Sequence, residues 1–394
     1  MRRLLCITLS LFLLTVTLSG CWSRRELNEL SMAVAAGIDK VGDEYELTYQ
    51  VIDPSQMSKA GSSDRSPTIL NTEKEKTLYE ASRKMTTKAP RVFYPSHLRL
   101  LIISERLAKE GIKKPLDIMM RNYGLRPDFF VVISRGQSVR DLMGLVTPFE
   151  LIPGIEMRRS LKVSEDTWAP TAAVKILELM QVMNDPGQEP VLTGLELLGD
   201  IERGKTAENV KQPTTLGEYQ YNGLAVMKND KILGWIGEKD SKAFNYITNK
   251  VRTTVGSVSC PNKSKHLWVA EVTKSHSALQ PSIKHGSPAM TIQMRIEVNV
   301  GSYECEDDIT KERTIRELEK EGRKALSDIL THGVHTVQQK YGVDIFGFGS
   351  AVHRKYPKQW KVWGKDWNRH FKDMPVEVLC DYHIRRTGQI TNTL

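Results

Sequence analysis

AMTIQMRIEVNVGSYE, Ala289–Glu304, alternates apolar and polar residues without a break. Met290, Ile292, Met294, Ile296, Val298 and Val300 fall on one side of an extended chain, with polar residues on the other. A period of two marks a strand with one buried face, so something apolar must lie against this segment. The residues that follow supply the cover. Between about Ile309 and Tyr341, Ile315, Leu318, Ala325, Ile329 and Val337 recur at steps of three and four or their multiples, placing them on one side of a long helix. Gly322 weakens that helix locally. Upstream, KHLWVAEVTKS (265–275) reads as a neighbouring strand, and Val376, Val378, Cys380, Tyr382 and Ile384 alternate in a last one. The C-terminal part is therefore expected to be an antiparallel sheet packed on a long helix.

Earlier in the chain, strand and helix patterns alternate. Met32–Ile38 and the alternating Tyr45, Leu47, Tyr49 and Val51 flank the turn signal Gly42-Asp43, which predicts a hairpin with one buried face. Pro54–Pro67 is a Ser-, Gly- and Lys-rich loop, and Leu78, Ala81 and Met85 form one helical stripe ahead of Pro90. HLRLLIIS (97–104) and PDFFVVISRG (127–136) read as strands. Short helices follow each, and Thr171–Asn184 reads as one more amphipathic helix. Such alternation implies a mixed sheet covered by helices. The polar, aperiodic stretch 201–218 reads as a linker, followed by a hairpin around Lys228-Asn229-Asp230-Lys231. The chain is thus expected to be α+β and multidomain, with three mixed α/β domains. The N-terminal α/β region, residues 21–200, holds two subdomains; residues 219–394 form the C-terminal sheet-plus-long-helix domain.

A length of 394 residues exceeds one ordinary core, and 40% hydrophobic with 26% charged residues excludes a multi-span membrane protein. The net charge of +9 comes from scattered residues without a basic, aromatic-interleaved stripe, which argues against nucleic acid. Residues 1–20 have the form of an export leader, with Arg2-Arg3 ahead of the apolar Leu4–Leu18, too short to span a bilayer as a permanent helix. Leu18-Ser19-Gly20-Cys21 resembles the bacterial lipobox, which implies lipidation of Cys21 and cleavage before it. Two acyl chains anchor stably where one does not. Cys260, Cys305 and Cys380 are then left; Cys260 and Cys305 could pair if their strands are neighbours, but all three are expected to be small buried hydrophobes.

Motifs for chemistry are scarce. No G-x-S-x-G, H-E-x-x-H or P-loop pattern occurs, and no cofactor or metal site is expected. Gly347-Phe348-Gly349 resembles part of a dinucleotide loop, but Val352 stands in place of the third glycine and a helix precedes it instead of a strand, which argues against a phosphate-binding role. His332 and His335 share a helix face without evident acidic partners and read as surface or packing residues. Trp360, Trp363, Trp367 and Phe371, spaced three, four and four apart, form one broad helical face. Core packing is the first reading of that patch and a partner-facing surface the second.

Three stretches together resemble one family: GCWSRRELNELSMAVAAGIDK (20–40), YNGLAVMKNDKILGWI (221–236), and GVDIFGFGSAVHRKYPKQWK (342–361) followed by IRRTGQI (384–390). They are similar to the Ger(x)C family, the C-subunit lipoproteins of spore germinant receptors, and they extend over essentially the whole chain after Cys21. The resemblance implies three mixed α/β domains, no catalytic activity, and a lipid anchor at Cys21 on the outer face of the cytoplasmic (spore inner) membrane. It also implies A-type and B-type integral-membrane subunits as partners in nutrient-triggered germination. The competing expectation is a lipoprotein that itself binds solute or acts as a cell-envelope hydrolase, which a deep pocket with converging polar side chains would favour.

Overall fold

A computed structural model describes residues 30–53, 65–122, 124–261 and 263–388, with Met1, Arg3–Leu5 and Thr8. Cys21 lies outside the described residues. The first sheet begins with β1 (Leu30–Val41), β2 (Glu44–Ile52) and β3 (Thr68–Glu75), an antiparallel meander. Helix α1 (Leu78–Lys84) follows, and β4 (Val92–Tyr94) pairs in parallel with the start of β1. β5 (Leu100–Ser104) then pairs in parallel with the rest of β1. Helices α2 (Glu105–Glu110) and α3 (Lys113–Met120) lead to β6 (Phe130–Ser134). Helices α4 (Val139–Gly144), α5 (Pro153–Thr167) and α6 (Ile176–Met183) lead to β7 (Val191–Gly199). The strands β1, β5, β6 and β7 form a parallel centre whose β5 and β6 are buried throughout and apolar up to their closing serines, Ser104 and Ser134, as two covered faces require.

The sheet does not stop at the polar stretch. After the single-turn α7 (Ile201–Gly204), β8 (Gly217–Lys228) pairs antiparallel with β7, and β9 (Lys231–Ile236) with β8, giving nine strands. Two expectations differ from this. The hairpin 217–236 hydrogen-bonds to the N-terminal sheet and not to the C-terminal one, and the expected linker 201–218 is a short helix, a fastened loop over 205–216 and the start of β8. Its pin is Asn209, fully buried, whose side chain donates to the carbonyls of Val146 and Gly217 and accepts from the N–H groups of Leu216 and Gly217. The residues expected as one helix from Thr171 are extended as far as Lys175, because Val131 N donates to Val174 O and the Thr193 hydroxyl bonds both backbone groups of Ala172.

Helix α8 (Glu238–Ile247) crosses to the second sheet, β10 (Thr254–Cys260), β11 (Lys263–Lys284), β12 (Ser287–Tyr303) and β13 (Val376–Arg386). β11 and β12 turn on His285-Gly286, both at positive φ, the two-residue turn whose twist suits a hairpin. Met290, Ile292, Met294, Ile296 and Val298 are at most 2% exposed, as their alternation predicts. The first three strands are antiparallel, whereas β13 joins β12 in parallel. The chain between them includes α9 (Glu312–Lys340), α10 (Phe348–Lys355), α11 (Pro357–Trp363) and α12 (Trp367–Asp373). A helical crossover of this kind is what a parallel pair needs. Gly322, which weakens the long helix in isolation, sits where α9 meets β13: a Cβ there would lie 2.5 Å from the Tyr382 ring.

One apolar core is continuous from the first sheet through α8 to the second, and a smaller one lies under α4 and α5. Cys260 and Cys305 are joined by a disulfide, Cα to Cα 5.6 Å, contrary to the expectation of buried thiols. The residue after β12 returns beside β11, with Glu304 N donating to Leu267 O, and this brings Cys305 to the end of β10. Cys380 stays free and half-buried, and burial pushes its thiol up to about 11.

Candidate functional site: a buried carboxylate and the cleft beside it

The sheets meet at the loop before α10. Asp344 is fully buried there. Its Oδ1 accepts from the backbone N–H groups of Phe346 (3.0 Å) and Gly347 (2.9 Å), and its Oδ2 from Gly349 N (2.7 Å) and Trp367 Nε1 (2.8 Å). The glycine pattern that resembles part of a phosphate loop does cradle an anion, but the anion is the chain's own carboxylate. Burial pushes that carboxyl up to about 6 against the opposing pull of its N–H donors.

The same loop grips the first sheet. Glu189 N donates to Asp344 O at 2.7 Å, Gln188 Nε2 to Ile345 O at 3.1 Å, and Ser350 Oγ to Asp185 Oδ2 at 2.6 Å. Gly187 lies directly on the start of α10, where an added Cβ would stand 2.4 Å from Ser350 N and 2.6 Å from the Gly349 carbonyl carbon. Backbone cannot yield as a flexible side chain does. Gly187→Ala is therefore expected to lower stability by about 2–3 kcal/mol in urea unfolding, and an unchanged midpoint would show that the junction opens without cost.

Of the aromatic patch, Trp360, Trp363, Trp367 and Phe371 are all at most 8% exposed. Trp360 lies 5.2 Å from Trp367, ring to ring, with His353 stacked on it at 5.1 Å; Phe371 packs against Phe348 at 6.0 Å. Trp363 packs instead near His370, ring to ring 6.1 Å, and of the four only Trp367 bonds Asp344. The expected single helical face is divided between α11, with Trp360 and Trp363, and α12, with Trp367 and Phe371, because the chain leaves the α-helix at Gly364–Asp366; nor could spacing show that one indole N–H serves a carboxylate 23 residues earlier. Of the two helical histidines, His332 lies 3.7 Å from Asp240. No cluster among the described residues could hold a metal ion, and no described helix is long and apolar enough to cross a membrane.

Beside the junction is a cleft of about 400 Å³. Glu178, Leu179 and Val182 of α6 form one wall, Gly347, Ser350 and Arg354 at the start and along one face of α10 another, and the end of α8 with Lys250 a third. Lys250 Nζ meets Glu178 Oε1 at 2.6 Å across it. No histidine lines the cleft, so no serine–histidine pair is assembled there.

Comparison with known proteins gives matches along nearly the whole chain. Residues 23–197 match the family described as "Spore germination protein N-terminal domain", and residues 222–388 match "Spore germination B3/ GerAC like, C-terminal". Spore germination protein KC of Bacillus subtilis (strain 168) is 27% identical, with 99% of this chain and 97% of that protein aligned. Spore germination protein A3 of the same organism is 25% identical over 98% of each. Among solved structures, the crystal structure of the GerBC protein superposes with a TM-score of 0.57 at 18% identity, covering 89% of this chain and 96% of that one. That likeness supports the same mixed α+β fold. With both family models matched in order over most of its length, the chain belongs to the Ger(x)C family of spore germination proteins.

Proposed function

We propose that the protein is the lipid-anchored C subunit of a spore germinant receptor, held by Cys21 on the outer face of the cytoplasmic (spore inner) membrane. There it relays nutrient-triggered germination through contacts with A-type and B-type integral-membrane subunits, without a catalytic step of its own. The observation that carries this reading is the end-to-end family match, which begins at residue 23, two residues after the lipobox cysteine. A function exercised through contact also suits a chain whose conspicuous buried carboxylate is spent on shaping the loop that meets the first sheet.

Tagged protein isolated from spore inner membranes should carry the two integral subunits with it; recovery of a lone chain would refute the subunit reading. For the anchor, Cys21→Ala should move most of the protein out of the membrane fraction when it is expressed without those subunits. Unchanged retention of a Cys21→Ala chain from which residues 1–20 have been removed would refute lipidation at Cys21, because the two acyl chains are then the only apolar anchor this reading supplies.

A further inference from the structure

The cleft beside Asp344 carries features that contact with other subunits does not use. Its polar groups are mostly spoken for: Glu178 pairs with Lys250, Glu189 accepts from Asn229 N and Asn368 Nδ2, and Ser350 bonds Asp185. Two are left over. Arg354 is exposed on the rim and makes no ion pair or hydrogen bond among the described residues. Ser277, in the opposite wall, is 4% exposed and its hydroxyl has no hydrogen-bond partner there. Buried hydroxyls are rarely left so. On β11, Ser277 shares a face with Leu279, which also lines the cleft.

Of the other polar lining, Gln188 donates to Ile345 O, Thr248 to Phe244 O, and Asn249 is bonded to the Ser277 backbone. Leu179, Val182, Ile247, Leu279 and Phe346 supply the apolar part of the lining. A volume of about 400 Å³ holds on the order of ten to fifteen non-hydrogen atoms at the packing of a liquid. That excludes a folded partner and suits a small molecule lodged between two domains, where such sites commonly form. The one unpartnered charge is a guanidinium, which matches a carboxylate in a two-pronged hydrogen bond. The acids, in contrast, already have donors, so an ammonium would have to displace one.

We propose that this cleft binds a small apolar carboxylate, its charged end on Arg354 at the rim and its hydrocarbon among Leu179, Ile247 and Phe346. Such a ligand would touch α6 of the first sheet and α10 beyond the junction at once, so its binding should stiffen the junction as well as fill the space. This goes beyond the subunit reading and does not depend on it.

Purified mature chain is titrated by calorimetry and by thermal unfolding with 4-methylpentanoate, its neutral amide and 4-methylpentylamine. The carboxylate should bind and raise Tm, while the amide and the amine do neither. Arg354→Gln, at an exposed position, should keep the unliganded Tm and weaken the carboxylate at least tenfold. Val182→Trp, which fills the cleft and leaves every charge, should abolish binding. No heat and no shift at about 10 mM carboxylate, a range that still detects Kd values weaker than 1 mM, would overturn the proposal. Equal binding of the amide, preference for the amine, or indifference to Arg354→Gln would do the same.

Discussion

Asp344→Ala should destabilise the protein by about 5 kcal/mol, enough to unfold much of it at moderate temperature. The substitution leaves three backbone N–H groups and the Trp367 indole N–H buried together with no acceptor. Each buried donor so orphaned costs about 1–3 kcal/mol, and partial relaxation brings the sum down to the top of the range seen for single substitutions. Asp344→Asn keeps the shape but turns an NH2 group toward N–H donors, so it should lose nearly as much. Trp367→Phe removes one donor and leaves Asp344 Oδ2 with Gly349 N, so about 1–3 kcal/mol is expected. Urea unfolding of the three variants gives the ranking, and a mild Asp344→Ala would mean that water or another group serves the nest.

The same residue sets a pH dependence of definite sign. Its folded pKa, about 6, lies above the ordinary carboxyl value of 3.8, so the folded state holds the proton more tightly than the unfolded chain. The stabilisation from that proton is fully present below about 3.8 and is lost as pH rises through about 6. A shift of about two units is worth on the order of 3 kcal/mol. Glu105, Asp117, Asp128, Glu297 and Asp308 are held below their usual values and act in the opposite direction as pH falls. The informative quantity is therefore the difference in slope between the wild type and Asp344→Asn from pH 4 to about 6.5. Only the wild type should gain stability from Asp344 on acidification, and identical slopes would place its carboxyl at its ordinary pKa.

What could be read from the sequence follows from where local pattern and tertiary burial agree. β12 announced itself because one face meets α9 and the other solvent, so its alternation is complete. Helix α5 escaped notice for the opposite reason. Its buried side carries Glu156 and Glu165 beside Met157 and Leu161, and no apolar stripe results. These acids are fasteners: Glu156 Oε2 accepts from Phe149 N and Glu150 N, and Glu165 Oε1 from Ala173 N. The stretch 201–218 is polar for a similar reason, since Asn209 replaces a hydrophobic contact with four hydrogen bonds to backbone. Buried polar residues that serve backbone look like surface residues in a sequence. Asp344 was in view within the family motif, and its role was hidden because its donors come from a helix start and from an indole on another helix.

The Cys260–Cys305 bridge is a sharper case, because spacing alone cannot rank a pair against three inert thiols. Cys305→Ser should lower stability by about 4 kcal/mol, the loop-closure value for a link across 45 residues. The loss arises mainly in the unfolded chain, which regains the freedom that the link removes. Cys260→Ser should cost about the same, and the double variant no more than either single one, because both substitutions remove one bond. Cys380→Ala touches no bridge and should change little. Urea midpoints with and without reductant separate the explanations. Reductant should bring the wild type to the level of Cys305→Ser and leave that variant where it is. A wild type indifferent to reductant would show that the bridge does not hold the fold in solution. Additive loss in the double variant would show that each cysteine acts as packing. A bridge that does contribute in this way favours an exported protein, since such links persist chiefly outside the reducing cytosol.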